Sequence, residues 1–131
     1  VHMDTPTGKR LPLHTTAFGK AILAYLPEEK VDEIIETHGL EQHTERTITD
    51  KDRLFEELET IRDQGYAFDR EERLAGLRCV SAPIINDEDR AIGAVSVSGP
   101  KDRLRDERFE EEFPKHVQAA ANVIEINMTF G

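Results

Sequence analysis

The chain has 131 residues, a length that fits one domain with a single hydrophobic core. Its 27 acidic residues outnumber its 17 basic residues, and the formal net charge is −10. Nucleic-acid binding depends on neutralising phosphates with Lys and Arg, so this charge argues against direct DNA or RNA binding by this segment. No apolar run approaches the roughly 18 residues of a membrane span. The lone cysteine, Cys79, has no partner for an internal disulfide, and we expect a cytoplasmic protein that does not contact membranes.

The acidic residues are spread along the chain and do not form a tail. This distribution indicates a solvated acidic surface, because a contiguous block of like charge would repel itself and extend. Such a surface is typical of proteins from salt-adapted hosts, and we expect a halophilic source. An acidic protein from a mesophile is the alternative.

The first elements in chain order are an extended start and a short helix. Pro6, Gly8 and Pro12 interrupt any helical period, so residues 1–14 are expected to be extended and rich in turns. Val1–Met3 are either a tag remnant or a shortened strand. The apolar run Lys20–Leu26 predicts a helix, for which Thr15 or Thr16 is the natural N-cap.

Two more helices are predicted before the first strand. Pro27 ends the first helix and begins the second, which we expect to end with a left-handed residue at Gly39. Thr49–Asp52 resembles a capping box at the start of the third helix. That helix is expected to end at Gly65 and to bury an apolar stripe at helical spacing, formed by Leu54, Leu58 and Ile61.

The second half of the chain predicts strands and a final helix. Tyr66–Phe68 is a short strand, and Leu77–Ile85 and Ala91–Ser98 are two longer ones joined by a polar hairpin loop, Asn86–Arg90. An amphipathic helix is expected from about residue 106 to residue 128. This order of elements predicts an α+β fold in which helices cover an antiparallel sheet.

Side-chain alternation along the hairpin strands predicts two unlike faces. Side chains point to opposite faces at successive strand positions. One face is branched and apolar, and the other is small and weakly polar, with Cys79 and Ser81 on the first strand and Ala94, Ser96 and Ser98 on the second. Small side chains leave volume, and hydroxyl and thiol groups offer hydrogen bonds, so this face favours a pocket for a small polar ligand. The alternative is a solvated face in which Cys79 is an ordinary buried thiol.

Two further features could complete a pocket. The turn at Ala17 and Phe18 begins a helix, whose free backbone amides favour a carboxylate, although most helix starts bind nothing. Gly19 allows close approach to the backbone. Asp69 follows the short strand and could accept a hydrogen bond from a ligand, but its spacing alone favours an ordinary loop carboxylate.

Four segments, in order, resemble the effector-binding domain of IclR-type transcription regulators. They are Leu11–Ala21, Gly65–Glu72, Gly76–Ile84 and Ser96–Pro100. The resemblance implies a GAF-like fold that lacks the first strands of the full domain, with residues 1–131 forming one effector-binding domain. It also implies a homodimer or tetramer that meets DNA only through an N-terminal winged helix-turn-helix domain, which is absent from this chain.

The resemblance also implies a set of site residues. The backbone amides around Ala17 and Phe18 would face a ligand carboxylate, and Asp69, Leu77 and Cys79 would form the pocket wall. Ser96 and Ser98 would supply hydroxyls to the carboxylate end. Phe18 departs from the family pattern, in which smaller residues are common, and this puts the size of the ligand in doubt.

The function expected from these observations is the sensing of a small organic acid or an aromatic metabolite. We expect no catalysis and no cofactor. We also expect no metal, because no His, Asp or Cys spacing suits a metal ion. One alternative is a structural oligomerisation domain with a vestigial pocket. The other is an enzyme that uses Cys79 as a nucleophile, but no base is paired with that thiol, and Arg78 points to the opposite strand face.

Overall fold

The computed structural model describes residues 13–130, and it describes side chains as far as residue 128. Most of the extended segment expected at residues 1–14 therefore lies outside the described residues. Its last two residues differ from the expectation, because Leu13–Thr15 forms a 3₁₀ helix.

Helix α1 spans Ala17–Leu23 and begins at the N-cap expected from the sequence. Thr16 has an extended backbone, and its hydroxyl accepts a hydrogen bond from the Gly19 amide at 2.9 Å. The helix ends three residues earlier than predicted, because the amides of Tyr25 and Leu26 bond to the carbonyls three residues back and tighten the chain into a turn.

Helices α2 and α3 span Glu28–His38 and Lys51–Gln64. Gly39 has φ 72° and ψ −178°, so the left-handed end expected there is wrong, although the positive φ still favours glycine. The expected capping box is also wrong, because Asp50 is the N-cap of α3 and its side chain makes no capping hydrogen bond. Gly65 does end α3 in the left-handed conformation, with φ 87° and ψ 15°.

The described strands form a three-stranded antiparallel sheet in the order β1–β2–β3. Strand β1 is Ala67–Arg70, β2 is Leu77–Ile85 and β3 is Ala91–Pro100. The hairpin and the bounds of β2 are as predicted, whereas β1 lies further along the chain than the expected Tyr66–Phe68. This shift places Asp69 inside a strand.

The sheet separates two hydrophobic layers, and the residues of β2 divide between them as the alternation predicts. Cys79 and Ala67 pack with the buried faces of α1, α2 and α3. Val80 and Ala82 pack on the other side against Phe109 and Val117. Helices therefore cover both faces of an antiparallel sheet, and the predicted α+β fold is confirmed.

Helical backbone begins at residue 106, as predicted, and the long α-helical part of this C-terminal segment, α4, spans Phe113–Phe130. A five-residue π-helical segment, Arg108–Glu112, precedes it. Pro114 explains the break, since it has no amide to donate to the carbonyl of Glu110. None of the described helices, α4 included, is long and apolar enough to cross a membrane.

Gly19 provides a test of how closely α1 approaches the 3₁₀ helix. A Cβ at this position would lie 2.7 Å from the Cα of Leu13 and 2.7 Å from the Thr16 hydroxyl oxygen, and backbone atoms cannot yield cheaply. We expect Gly19→Ala to lower the free energy of unfolding by roughly 1–3 kcal/mol, measured by urea denaturation.

Gly93→Ala is the matched control for this overpacking. Its Cβ would meet only the Ile84 Cδ1 atom, at an ordinary 3.7 Å. We expect little change, and equal stabilities for the two variants would contradict the close contact at Gly19.

Candidate ligand-binding site

The small polar face of the sheet is built by strand register. Asp69 lies opposite Cys79, and Cys79 lies opposite Ser98, so these three residues form one row across the strands. Ala67, Ser81 and Ser96 form the neighbouring row. Residues paired across an antiparallel sheet point to the same face, so both rows face the layer that contains α1.

Hydroxyl and thiol groups interact at the centre of this face. The Ser81 and Ser96 hydroxyls are hydrogen-bonded to each other, and the Cys79 sulfur lies 4.0 Å from the Ser81 oxygen. Burial raises the pKa of the Cys79 thiol, while hydrogen bonds with Ser98, Ser81 and Ser96 oppose the rise. The thiol is only 8% exposed and remains protonated at neutral pH. It is therefore a poor nucleophile.

Asp69 is a buried carboxylate at the end of the first row. It is 2% exposed, and its Oδ1 atom accepts a hydrogen bond from the Glu72 amide at 2.8 Å. Burial raises the pKa of Asp69 to about 6, against the effect of the Glu72 amide and with a further contribution from the negative charge of Glu72. The loop carboxylate favoured by the spacing is therefore wrong, since Asp69 lies inside β1.

The sequence analysis missed a buried cation, Lys20, which is a residue of α1. Its side chain is fully buried, and its Nζ atom lies 2.7 Å from Glu72 Oε1 and 2.9 Å from Glu57 Oε2. The signal for its burial is present in the sequence. Lys20 follows Ala17 by three residues, and Ala17 lies on the buried face of the helix, so Lys20 shares that face.

The remaining expected site residues lie around the same face. Ala17 is buried in the core layer that contains Cys79, and α1 packs across β2 and β3. Phe18, Leu77 and Ser96 are half-buried, and Ser98 is exposed. Polar contacts among the described residues link the Cys79 thiol to the serine hydroxyls. Leu77 lies two positions from Cys79 on β2 and therefore on the same face, and Phe18 follows the buried Ala17 in α1.

A cleft of about 250 Å³ lies among the 3₁₀ helix, α2 and the ends of α1 and α3. None of the expected site residues lines it, and its walls are mostly apolar side chains of the 3₁₀ helix, α1, α2 and α3. His14 lies in this cleft, where its Nε2 atom is 2.9 Å from the Glu41 carbonyl oxygen. Burial lowers the pKa of His14, which indicates a structural, neutral imidazole. Among the described residues, no group of three His, Cys, Asp or Glu side chains could hold a metal ion.

Comparison with known proteins identifies the family. The sequence profile of a family described as "Bacterial transcriptional regulator IclR C-terminal" matches residues 1–126. The chain belongs to this family. The resemblance of the four IclR-type segments is thereby confirmed.

A curated relative supports the same assignment. The transcriptional repressor AllR of Escherichia coli K12 is 43% identical over 109 residues, which cover 83% of this chain and 40% of AllR. The chain thus spans less than half the length of this IclR-family relative. AllR is an HTH-type transcriptional repressor, in agreement with the resemblance to transcription regulators seen in the sequence.

Solved structures of IclR-type domains share the fold. The C-terminal domain of the E. coli regulator KdgR is 36% identical, with a TM-score of 0.82, over 92% of this chain and 73% of that one. The inducer-binding domain of PobR from Acinetobacter is 30% identical, with a TM-score of 0.83, over 90% of this chain and 67% of that one. That PobR structure is a double mutant in complex with 3-hydroxybenzoic acid.

The raised pKa of Cys79 predicts slow alkylation. Iodoacetamide reacts with thiolate, so we expect labelling of the native protein at pH 7 to be roughly tenfold slower, or more, than labelling in urea. Mass spectrometry measures the rate at one site, because the chain has a single cysteine. Equal rates in the two states would support an exposed or activated thiol.

The ion pair of Lys20 predicts a large stability loss on its removal. Lys20→Met leaves Glu72 buried without its cation, and we expect the free energy of unfolding to fall by about 3–5 kcal/mol. Lys51→Met is the control, since Lys51 and its partner Asp32 are both exposed. A loss at Lys20 no larger than the loss at Lys51 would contradict the importance of the buried pair.

Proposed function

We propose that the chain is the effector-binding domain of a transcription regulator and senses a small organic acid or an aromatic metabolite. The observation that carries this proposal is the sheet face built from Cys79, Ser81, Ser96 and Ser98, which offers uncharged hydrogen-bonding groups beside α1. A packed core would fill this position with larger apolar side chains. Membership of the IclR family supplies the context, and residues 1–131 form the proposed domain.

The complex of the PobR inducer-binding domain supports an acid as the ligand. A double mutant of that domain binds 3-hydroxybenzoic acid, and its fold matches this chain with a TM-score of 0.83. We propose that the ligand carboxylate meets the Ser96 and Ser98 hydroxyls and the backbone amides at the start of α1. The proposed site comprises Ala17, Phe18, Asp69, Leu77, Cys79, Ser96 and Ser98.

Uncharged hydrogen-bond donors suit the binding of an organic acid by a protein with such a large negative charge. A net charge of −10 repels an anion at long range, so short-range hydrogen bonds must supply its binding energy. Hydrogen bonds to a charged group are worth about 1.5–3 kcal/mol each. The exposed Ser98 and the half-buried Ser96 lie on β3, each at the end of one of the two rows, and are the more accessible of the hydroxyl and thiol groups on this face.

The regulatory output requires partners beyond this segment. We propose that the domain assembles as a homodimer or tetramer in the cytoplasm and that a winged helix-turn-helix domain of the same protein binds DNA. Exposed apolar side chains on α4 support self-association: Val123, Ile124, Ile126 and Met128. Effector binding would then shift the equilibrium between two arrangements of subunits, provided that the effector binds them with different affinity.

Calorimetry with a panel of acids tests this proposal. We expect lactate, benzoate or 3-hydroxybenzoate to bind the chain, and we expect Ser96→Ala and Ser98→Ala each to weaken that binding by roughly 10- to 100-fold. Thr37→Ala, on the exposed surface of α2, is the control and should leave the affinity unchanged.

The alternative of an oligomerisation domain with a vestigial pocket predicts a different result. It predicts no heat with any acid in the panel, while sedimentation still shows an assembly. Binding that is unaffected by both serine substitutions would place the ligand elsewhere and would refute the proposed site.

A further inference from the structure

Asp69 is a buried acid in the row of residues that faces the proposed ligand. Among the described residues, no salt bridge pairs Asp69 with a cation. The register places Asp69 beside Cys79, with Ser98 next in the row. Neighbouring strands lie about 4.8 Å apart, so the backbone of Ser98 is roughly 10 Å from that of Asp69. A ligand carboxylate at the serines, or between them and Asp69, is within range of this charge.

The groups around Asp69 already carry excess negative charge without a ligand, because one lysine faces three carboxyl groups. Lys20 is the buried cation of this region, and its Nζ atom is held by Glu72 at 2.7 Å and by Glu57 at 2.9 Å. A second strong contact from Lys20 would therefore require one of these pairs to break. The groups that titrate or carry charge beside Asp69 are Lys20 of α1, Glu72 of the following turn and Cys79 of β2. Glu57 of α3 contacts Lys20, and His14 of the 3₁₀ helix interacts with Glu72.

A ligand carboxylate adds one more negative charge to this enclosed region. Like charges that share a site cannot both stay ionised at low cost, because Coulomb repulsion is strong where water is excluded. The Arg side chains of the sheet cannot compensate, since Arg70 and Arg78 lie on the opposite face and pair with Glu110 and Glu71. Taking up a proton is the remaining way to offset the added negative charge.

We propose that Asp69 is a specificity-determining residue and that the site accepts an organic acid together with one proton, which Asp69 takes from solvent and holds against the bound carboxylate. This inference rests on the proposed function, and it adds the ionisation state in which the ligand is bound. A protonated Asp69 changes from an acceptor that repels the anion to a donor for it. Its high pKa before binding, about 6, means that protonation near neutral pH costs little.

Calorimetry in two buffers tests the proton directly. We expect titrations of the 131-residue chain with 3-hydroxybenzoate at pH 7.4, in phosphate and in Tris, to show different heats. The difference corresponds to the uptake of roughly 0.5–1 proton per ligand. The affinity should fall by roughly three- to tenfold for each pH unit above 7. The neutral analogue 3-hydroxybenzamide should show no buffer dependence.

Asp69→Asn is the decisive variant, because an amide keeps the acceptor for the Glu72 amide but cannot titrate. We expect its binding of 3-hydroxybenzoate to be independent of buffer and pH, and to be tighter than that of the wild type at pH 8. His14→Gln should retain the proton uptake, and this result would exclude His14 as the group that takes up the proton. If Asp69→Asn does not fold, the comparison of binding heats in the two buffers, for the wild type and for His14→Gln, still tests whether a proton is taken up.

The outcomes separate the two proposals. Binding of the acid with identical heats in both buffers overturns this inference and leaves the proposed function intact. Proton uptake that persists in Asp69→Asn also overturns it. If neither 3-hydroxybenzoate nor the other acids bind at pH 6 or pH 7.4, the proposed function and this inference both fail.

Discussion

The buried ion pair between Lys20 and Glu72 is the contact on which the position of α1 over the sheet depends. A buried charge costs several kcal/mol unless it is paired with good geometry, so the elements that hold its partners must meet at Lys20. Glu72 comes from the turn after β1 and Glu57 from α3, and both reach the Nζ atom. Glu72 also accepts the amide of Arg70 through its second oxygen, at 3.0 Å, which fixes that turn to the strand. The start of α1 is thereby held beside the small polar face.

The sheet also keeps the arginines of β1 and β2 away from the small polar face. On the α4 side, Arg70 lies 4.2 Å from the ring of Phe68 and pairs with Glu110, and Arg78 donates to the Leu104 carbonyl at 3.1 Å. These guanidinium groups are occupied and face away from α1. The small polar face of the sheet therefore presents neutral hydroxyls, a protonated thiol and the buried acid Asp69, while Lys20 on the α1 side is already paired with Glu57 and Glu72. A site of this composition distinguishes ligands by hydrogen bonding and by their charge at binding, since it has no free cation among the described residues.

Much of the fold could be predicted because the hydrophobic period is a local property. The bounds of β2, the hairpin and the two faces of the sheet follow from alternation, and the stripe in α3 follows from 3–4 spacing. The errors occur where a local signal competes with tertiary contacts. The capping box of α3 did not form, and β1 shifted towards the C-terminus because pairing with β2 begins at Ala67 and continues through Arg70. Pro114 delayed the α-helical part of the last helix.

The sequence by itself determined the family, the order of the elements and the small polar face on which Cys79, Ser96 and Ser98 lie. These depend on residue type and spacing along the chain, which alternation and motif resemblance both report. Only the tertiary structure decided that Lys20 is buried between Glu57 and Glu72 and that Asp69 is an interior acid and not a loop carboxylate. Burial and charge pairing join residues that are 37 and 52 positions apart in the chain, and no local pattern encodes which of many similar charges will meet.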